Sequence, residues 1–205
     1  MAADRFLKII SWNLLHSVGA GLDEVAQLIL VERPDLLLMQ ETTAAIDRLP
    51  MKVGGFYARD PLPGRLHGLA AWSPVAFAVP PQARNLQRGL IVRRVCQVLE
   101  FAHFGVANVH LSHGQMLNRR QLREIARMLP RSAAILGDCN LVGPSLLPGF
   151  RDVGPRRWTH VAGRLLPVRL DRCFVRELEA SGAHVLARGT SDHHPIAVRL
   201  VIPRR

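Results

Sequence analysis

The chain has 205 residues, of which 48% are hydrophobic and 21% charged. This is the composition of one globular domain or slightly more, and it excludes disorder over the whole chain. No apolar run approaches the roughly 18 residues of a membrane-spanning helix, and no signal-peptide pattern opens the chain. Three widely spaced cysteines (Cys96, Cys139 and Cys173) indicate reduced thiols rather than a disulfide framework or a zinc site. We therefore expect a cytoplasmic protein with no membrane span.

The formal net charge of +11 comes from 27 basic and 16 acidic residues, and all but two of the basic residues are arginines. A domain this basic attracts polyanions, of which nucleic acid is the most abundant. A merely solvated basic surface is the alternative interpretation.

The predicted elements open with a buried strand over residues 6–12, a helix over 22–32 and a strand over 35–40. The helix has apolar residues at helical spacing and ends before Pro34, which disfavours helical geometry in the preceding residue. Further along the chain, the pattern predicts a second helix over 115–129, with strands over 68–72, 75–79, 91–100, 103–111, 133–137, 170–175, 183–187 and 196–202.

Strands outnumber helices, and the helices lie far apart in sequence. This order favours a layered sandwich with helices outside over a doubly wound sheet, and an ordinary three-layer α/β fold is the alternative. No composition shift or internal repeat divides the chain, so residues 1–205 are expected to form a single domain.

Polar clusters follow or precede apolar strands at five places. They are Asn13, Glu41, His110, the pair Asp138 and Asn140, and the pair Asp192 and His193. Strand ends on one edge of a sandwich converge, so these clusters could form one site. The carboxylates and amides are hard oxygen ligands that favour Mg²⁺ or Mn²⁺ over Zn²⁺, and the histidines can act as acids, bases or hydrogen-bond donors to a phosphoryl oxygen.

Six short segments carry a resemblance to a known family. They are 10–13 (Ile-Ser-Trp-Asn), 39–42 (Met-Gln-Glu-Thr), 108–111 (Asn-Val-His-Leu), 136–140 (Leu-Gly-Asp-Cys-Asn), 170–172 (Leu-Asp-Arg) and 191–195 (Ser-Asp-His-His-Pro). In this order the chain resembles the endonuclease/exonuclease/phosphatase superfamily, whose fold is a four-layered α/β sandwich of two packed, mainly antiparallel sheets flanked by helices. The resemblance spans nearly the full chain.

The resemblance implies a divalent metal, Mg²⁺ or Mn²⁺, with Glu41 as the principal ligand. Asn13 would support it, and Asp192 would lie near a second metal position.

For catalysis, the resemblance implies that Asp138 orients or deprotonates the attacking water and that Asn140 holds the water or a phosphate oxygen. His193 would act at the scissile phosphate, with Asp171 fixing its tautomer. His110 would donate to a non-bridging or leaving oxygen.

Each segment also has a purely structural interpretation. Asn13 could be a turn residue, Glu41 could complement the dipole of a short helix over 42–49, and residues 138–140 could form an Asx turn. The arginines at 119, 123 and 127 lie at i, i+4 spacing on the second helix. Of these, Arg119 and Arg123 are candidate substrate-binding residues, with a solvated helix face as the alternative.

The predicted function is a metal-dependent phosphodiesterase that cleaves nucleic acid, with DNA as the expected substrate, without an obligate protein partner. The abasic-site branch of the family usually has an acidic residue at position 15 and a tyrosine near position 110, so Leu15 and His110 disfavour that activity. The alternatives are hydrolysis of an inositol phosphate, a phospholipid head group or a nucleotide, and a non-catalytic basic protein that binds nucleic acid. The dispersed tryptophans provide no evident base-stacking platform for the last of these.

Overall fold

A computed structural model describes residues 5–89, 92–162 and 165–202. The strands in chain order are β1 (Arg5–Asn13), β2 (Leu36–Thr42), β3 (Phe56–Pro61), β4 (Gly68–Ser73), β5 (Gln82–Asn85), β6 (Val95–Glu100), β7 (Gly105–His110), β8 (Ala133–Asp138), β9 (Arg151–Asp152), β10 (His160–Ala162), β11 (Leu166–Val168), β12 (Asp171–Arg176), β13 (Glu179–Val185) and β14 (Ile196–Ile202). The helices are α1 (Leu22–Glu32), a 3₁₀ turn (Ala44–Arg48), α2 (Leu49–Val53) and α3 (Gln115–Met128).

Two six-stranded sheets dominate the fold. The first has the spatial order β13-β14-β1-β2-β4-β3 and the second β5-β6-β7-β8-β12-β9, while β10 and β11 form a separate hairpin. Each large sheet is antiparallel except for one central parallel pair, β1 with β2 in the first and β7 with β8 in the second. The predicted pair of mainly antiparallel sheets is confirmed.

The two parallel pairs exist because a helix carries the chain back across the sheet between their strands. Helix α1 connects β1 to β2, and α3 connects β7 to β8. Helix α1 buries Val25, Ala26 and Ile29 on one face and ends at Arg33, which adopts a left-handed conformation (φ 47°) before Pro34. Parallel strands require such a crossover, whereas antiparallel neighbours can be joined by short turns.

The core lies in three apolar clusters that separate four layers. One cluster fills the space between the sheets, with residues such as Ile9, Leu38, Val106 and Leu136. A second lies between the first sheet and α1 and α2, and a third lies between the second sheet and α3. The layers are therefore helix, sheet, sheet and helix, as expected for a four-layered sandwich.

A buried polar contact ties the two sheets together near their centre. Gln40 Nε2 in β2 donates to Asn108 Oδ1 in β7 at 2.8 Å. Asn108 Nδ2 lies within hydrogen-bonding distance of the carbonyl oxygens of Met39 and Ala70, at 3.1 and 3.0 Å. Both amide side chains are fully buried. Because removing one partner would leave a buried polar group unsatisfied, these contacts hold the two sheets in one relative position.

Gly137 is required by the close approach of β8 to β7. Its φ is +144°, and a Cβ built there would lie 2.0 Å from the carbonyl oxygen of Val109. No side chain fits in that space. The glycine thus lets the chain reach Asp138 with β8 in register against β7.

Several element boundaries differ from the predictions. Residues 75–79, predicted as a strand, form bends, and the neighbouring strand β5 lies at 82–85, where every residue is exposed. Pro80 and Pro81 restrict the backbone at the end of the apolar stretch. The predicted strand 91–100 begins at Val95, and its residue 91 lies outside the described ranges. The possible helix over 42–49 is a 3₁₀ turn followed by α2.

None of the described helices is long and apolar enough to cross a membrane. The three cysteines are free and buried. Burial raises the pKa of each thiol, to about 12 for Cys96, which keeps these groups protonated and unreactive.

Asp152 anchors the segment that leads into β12. Its two carboxylate oxygens accept hydrogen bonds from both terminal nitrogens of Arg169 at 2.7 Å, and Arg172 adds a third at 2.9 Å. Arg172 also donates to the carbonyl oxygen of Leu141 at 3.0 Å, which connects this ion cluster to the loop after β8. Burial raises the pKa of Asp152, but the two guanidinium groups outweigh that effect and hold the pKa below its ordinary value of 3.8.

We predict that Asp152→Asn lowers the free energy of unfolding by about 3 kcal/mol at neutral pH, because it leaves the largely buried side chains of Arg169 and Arg172 without their carboxylate. A depressed folded-state pKa stabilises the protein above the unfolded pKa, and this stabilisation is lost as the pH falls through the folded value. The difference in the free energy of unfolding between wild type and variant should therefore become smaller below about pH 3.8. Urea unfolding over a pH series measures this.

The matched control is Asp47→Asn, which breaks a similar two-bond contact with Arg59 at a carboxylate that is 43% exposed. An exposed ion pair contributes at most about 1 kcal/mol. Equal losses in the two variants would show that the Asp152 cluster is no stronger than a surface ion pair.

Candidate active site

The candidate site lies where the two parallel strand pairs end. The carboxyl ends of β1 and β2 bring Asn13 and Glu41 to one edge of the first sheet, and those of β7 and β8 bring His110 and Asp138 to the same edge of the second. A cavity of about 530 Å³ opens there. Seven of the eight predicted catalytic and metal-binding residues line it: Asn13, Glu41, His110, Asp138, Asn140, Asp192 and His193. The eighth, Asp171, is fully buried.

Asp138 is the central group of this cavity. Its Oδ2 accepts a hydrogen bond from Asn13 Nδ2 at 3.1 Å, a contact that crosses from one sheet to the other. Two imidazole nitrogens approach the same oxygen, His110 Nε2 at 3.3 Å and His193 Nε2 at 3.8 Å. The carboxylate is only 2% exposed, so these contacts replace the solvation that it loses on burial.

The segment 138–140 forms an Asx turn as well as part of the site. The backbone N–H of Asn140 donates to Asp138 Oδ1 at 2.9 Å, and Asn140 adopts a positive φ of 46°. Its side-chain Nδ2 donates to the carbonyl oxygen of Leu111 at 3.0 Å, while its own carbonyl accepts from Asn118 of α3. The Asx turn is therefore present, and it directs Asn140 into the cavity.

His193 and Asp171 form a buried pair. His193 Nδ1 donates to Asp171 Oδ2 at 2.8 Å, so its Nε2 faces the cavity. Burial lowers the pKa of His193, but the charges of Asp171 and Asp138 outweigh burial and raise it to about 10. The imidazole is thus a cation at neutral pH. The two arginines nearest to Asp171 in sequence, Arg169 and Arg172, bind Asp152 and leave the Asp171 carboxylate to His193.

His110 has the opposite charge state. Complete burial, and next the nearby positive charge of Arg94, hold its pKa well below the ordinary value of 6.5. It is therefore a neutral imidazole with a single N–H. Asp138 thus has a cationic histidine on one side and a neutral one on the other.

Glu41 is covered by two histidines, His16 and His67, that belong to none of the six segments of the family resemblance. The backbone N–H of His16 donates to Glu41 Oε2 at 3.2 Å, and the ring nitrogen Nδ1 of His16 contacts the same oxygen. The His67 ring stacks on His16 with centroids 4.0 Å apart. Burial raises the pKa of Glu41, but the contacts from His16 outweigh it and leave the pKa below its ordinary value. The other oxygen, Oε1, lies 3.9 Å from His110 Nδ1.

Among the described residues, the possible metal ligands that lie close to Asp192 are His160 and His193, not Glu41. The carboxylate of Asp192 lies 3.7 Å from His160 Nδ1. His160, Asp192 and His193 each offer one donor atom to a metal ion, and these three atoms lie within 4.8 Å of one another. Asp138, Asp171 and His193 form a second such group. His160 is a site residue that the sequence did not reveal, because it lies in the short hairpin strand β10 with no recognisable motif.

Arg94 is a further residue that the sequence did not reveal, and it acts on the site through its charge, since it does not line the cavity. It is only 5% exposed, and its Nε has no hydrogen-bond partner among the described residues. Burial lowers its pKa, and the negative charges of Asp138 and Glu41 partly offset this. The signal available in the sequence was an arginine directly before the strand β6, whose first five residues are buried.

The two arginines predicted to bind substrate do not line the cavity. Arg119 donates to the carbonyl oxygens of Gln115, Val142 and Pro144, so it fastens the loop after β8 to α3. Arg123 is exposed and lines a different groove at the far end of α3. Of the other neighbouring histidines, His113 lines the cavity, and His194 packs edge-on against Trp158.

Comparisons with solved structures place this architecture among known folds. An endonuclease/exonuclease/phosphatase from Beutenbergia cavernae DSM 12333 superimposes with a TM-score of 0.76 at 16% identity, covering 97% of this chain and 72% of that one. Truncated Caenorhabditis elegans TDP2 gives 0.75 at 18%, covering 96% and 98%. D. rerio TDP2 complexed with single-strand DNA product gives 0.75 at 17%, covering 97% and 100%. At these identities the likeness establishes the fold alone.

No curated protein matches the chain in sequence. The profile of the Endonuclease/Exonuclease/phosphatase family matches residues 10–193, which include all eight predicted catalytic and metal-binding positions. The chain therefore belongs to the Endonuclease/Exonuclease/phosphatase family.

Proposed function

We propose that this chain is a single-domain, divalent-metal-dependent phosphodiesterase that hydrolyses nucleic acid, with DNA as the expected substrate. Family membership indicates hydrolysis of phosphoesters. The metal requirement, the substrate and the residue roles below are parts of the proposal.

The observation that carries the proposal is the arrangement around Asp138. One buried carboxylate lies between a neutral histidine and a cationic histidine, and the cationic one is paired with a second buried carboxylate. A carboxylate that can take a proton from water, beside a cation that can stabilise phosphoryl oxygens, provides the two functions that phosphoester hydrolysis needs.

The donor atoms around the cavity fit a hard divalent cation. Glu41, Asn13 and Asp138 offer oxygens at its rim, and Asp192 has a buried Oδ1 without a hydrogen-bond partner among the described residues. No thiolate lines the cavity, a donor set that favours Mg²⁺ or Mn²⁺. We assign Glu41 as the principal ligand, supported by Asn13, with Asp192 near a second position. When bound, the cation would neutralise charge on the phosphate.

The residues then divide the reaction among themselves. Asp138 takes a proton from the attacking water, whose oxygen forms a bond to phosphorus as the bond to the leaving oxygen breaks on the opposite side. Asn140 positions the water or a phosphate oxygen. His193, held by Asp171, stabilises negative charge on the phosphoryl group, and the single N–H of His110 donates to a non-bridging or leaving oxygen.

Arg94 extends this set. A buried guanidinium loses its hydration, and its carboxylate neighbours Asp138 and Glu41 compensate only in part. A substrate phosphate would supply the missing anion. We therefore assign Arg94 to attracting the scissile or an adjacent phosphate through its positive charge.

Two observations support nucleic acid as the substrate class. The net charge of +11 favours a polyanion. In addition, the structurally similar D. rerio TDP2 has been solved with a single-strand DNA product. The charge acts on any phosphate-rich ligand, so the substrate has to be tested against small phosphoesters.

We predict that Glu41→Gln weakens Mn²⁺ binding at least tenfold, because it removes the charged ligand while retaining the shape of the side chain. Isothermal titration calorimetry measures the affinity directly, without reference to activity. Glu100→Gln, at an exposed strand end, is the matched control and should bind as wild type does. Equal affinity in wild type and Glu41→Gln would remove Glu41 from the metal site.

The substrate prediction is tested by a panel of plasmid DNA, single-stranded DNA, RNA and inositol phosphates, each with Mg²⁺ or Mn²⁺. We expect nicking of nucleic acid that falls steeply between low and physiological salt, because each phosphate contact releases counterions. Phosphate release from inositol phosphates without any nicking of nucleic acid would contradict the proposed substrate.

The third prediction concerns the acid–histidine pair. Asp171→Asn should lower kcat on the order of 10²–10⁴-fold, since it removes the carboxylate that orients His193 and raises its pKa, so the imidazole would lose its positive charge. His193→Ala should lower it at least as much, and the double variant should be hardly worse, because residues that act as one unit are strongly non-additive. Additive losses, measured on variants with unchanged melting temperatures, would show that the two residues do not act as a pair.

A further inference from the structure

A second groove, larger than the catalytic cavity, lies at the far end of α3. Its volume is about 620 Å³. Four arginines and no acidic residue line it, namely Arg123, Arg127, Arg131 and Arg176, and its apolar wall includes Leu147 and Pro148. Such a composition suits an anionic ligand that also presents a flat or apolar surface.

Two of the arginines are held by the protein itself. Arg176 donates to the carbonyl oxygens of Ala126, Leu129 and Pro130, at the end of α3, and its guanidinium lies 4.6 Å from the ring of Phe150. Arg131 pairs with Glu177 at 2.7 Å. These contacts fix one side of the groove. The hydrogen bonds of Arg176 go to neutral carbonyl groups, so its positive charge is not cancelled by them.

The other two arginines are unpaired within the described part of the chain. Arg123 and Arg127 are exposed, lie one helical turn apart and have neither an ion pair nor a side-chain hydrogen bond to a described residue. Both also line a smaller neighbouring groove, together with Gln87, Arg120 and the acidic Glu124. Like charges at i, i+4 destabilise a helix by about 0.2–0.5 kcal/mol. Arg127 lies in the last turn of α3, where the helix dipole favours a cation, but Arg123 lies a turn earlier and has no such stabilisation.

Helix α3 connects this groove to the catalytic cavity. Gln115, its first residue, lines the cavity, and Arg127 lies twelve positions further along. At 1.5 Å per residue this is about 18 Å along the helix axis. Phosphates of one DNA strand are spaced by about 3.4 Å along the duplex axis, so the distance is about five base-pair steps.

We propose that the groove at the end of α3, with Arg123 and Arg127 as its ligand-binding residues, holds the phosphodiester backbone of the nucleic acid about five steps from the phosphate in the catalytic cavity. This inference rests on the proposed function for its ligand class. It makes α3 the element that sets the position of the polymer, which would direct cleavage to internal phosphates rather than to the ends of short fragments.

The test measures binding of a fluorescein-labelled 20-base-pair DNA duplex by fluorescence anisotropy over a salt series. The variant is Arg123→Gln with Arg127→Gln. Its matched control is Arg33→Gln with Arg48→Gln, which removes the same charge from exposed positions on the opposite outer layer, around α1 and α2. Melting temperatures establish that all three proteins are folded.

We expect the α3 variant to bind more weakly than wild type and to lose about 1.8 from the slope of log K against log salt, at roughly 0.9 per phosphate contact. The control variant should keep the wild-type slope. Equal losses in the two variants would overturn the proposal, because net charge alone would then explain binding. Unchanged binding in the α3 variant would overturn it as well.

The outcome separates this proposal from the proposed function. If wild type cleaves plasmid DNA while the α3 variant binds duplex as wild type does, the groove proposal fails and the function stands. If wild type cleaves no nucleic acid but the α3 variant alone loses duplex binding, the function fails and the groove remains a nucleic-acid site.

Discussion

The site depends on one topological constraint, the single parallel strand pair at the centre of each sheet. Parallel neighbours end at the same edge, so β1 with β2 and β7 with β8 each carry two polar residues to one place. The hydrogen bonds between Gln40 and Asn108 then fix how the two sheets face each other. These two side chains belong to the segments that carry the family resemblance, yet they lie buried between the sheets. Their role is to align the two halves of the site.

The electrostatics of the site follow from this alignment. Asp138 comes from the second sheet and Asn13 from the first, and the 3.1 Å hydrogen bond between their side chains connects the two sheets at the site. Burial alone would drive both histidines beside Asp138 towards the neutral form. Asp171 reverses this for His193, whereas the positive charge of Arg94 reinforces it for His110. The neighbours of His193 and His110 thereby give these two histidines different charge states.

Much of this could be predicted from the sequence, and the reasons differ by element. Strands such as β2 and β8 carry continuous apolar runs because both faces are covered, so their ends, and the polar residues there, could be placed. Strand β5 could not, since its four residues are all exposed, and the apolar residues 75–79 beside it form bends.

The missed site residues share a different cause. His16, His67 and His160 reach the site from loops and a short hairpin, so their positions depend on long-range contacts that no local pattern encodes. Arg119 shows the reverse case, because its helical spacing suggested a substrate contact, whereas its donors are taken up by the loop after β8. Sequence patterns therefore identified the site residues at the strand ends, whereas the residues that surround them depend on the tertiary structure.

The most direct test of this account is a crystal structure of the protein with Mn²⁺ and inorganic phosphate, with manganese located by its anomalous scattering. The account predicts manganese bonded to an oxygen of Glu41, and a phosphate in the catalytic cavity within hydrogen-bonding distance of His193. Manganese bound only between His160 and Asp192, with Glu41 still held by His16 and the phosphate outside the cavity, would contradict it.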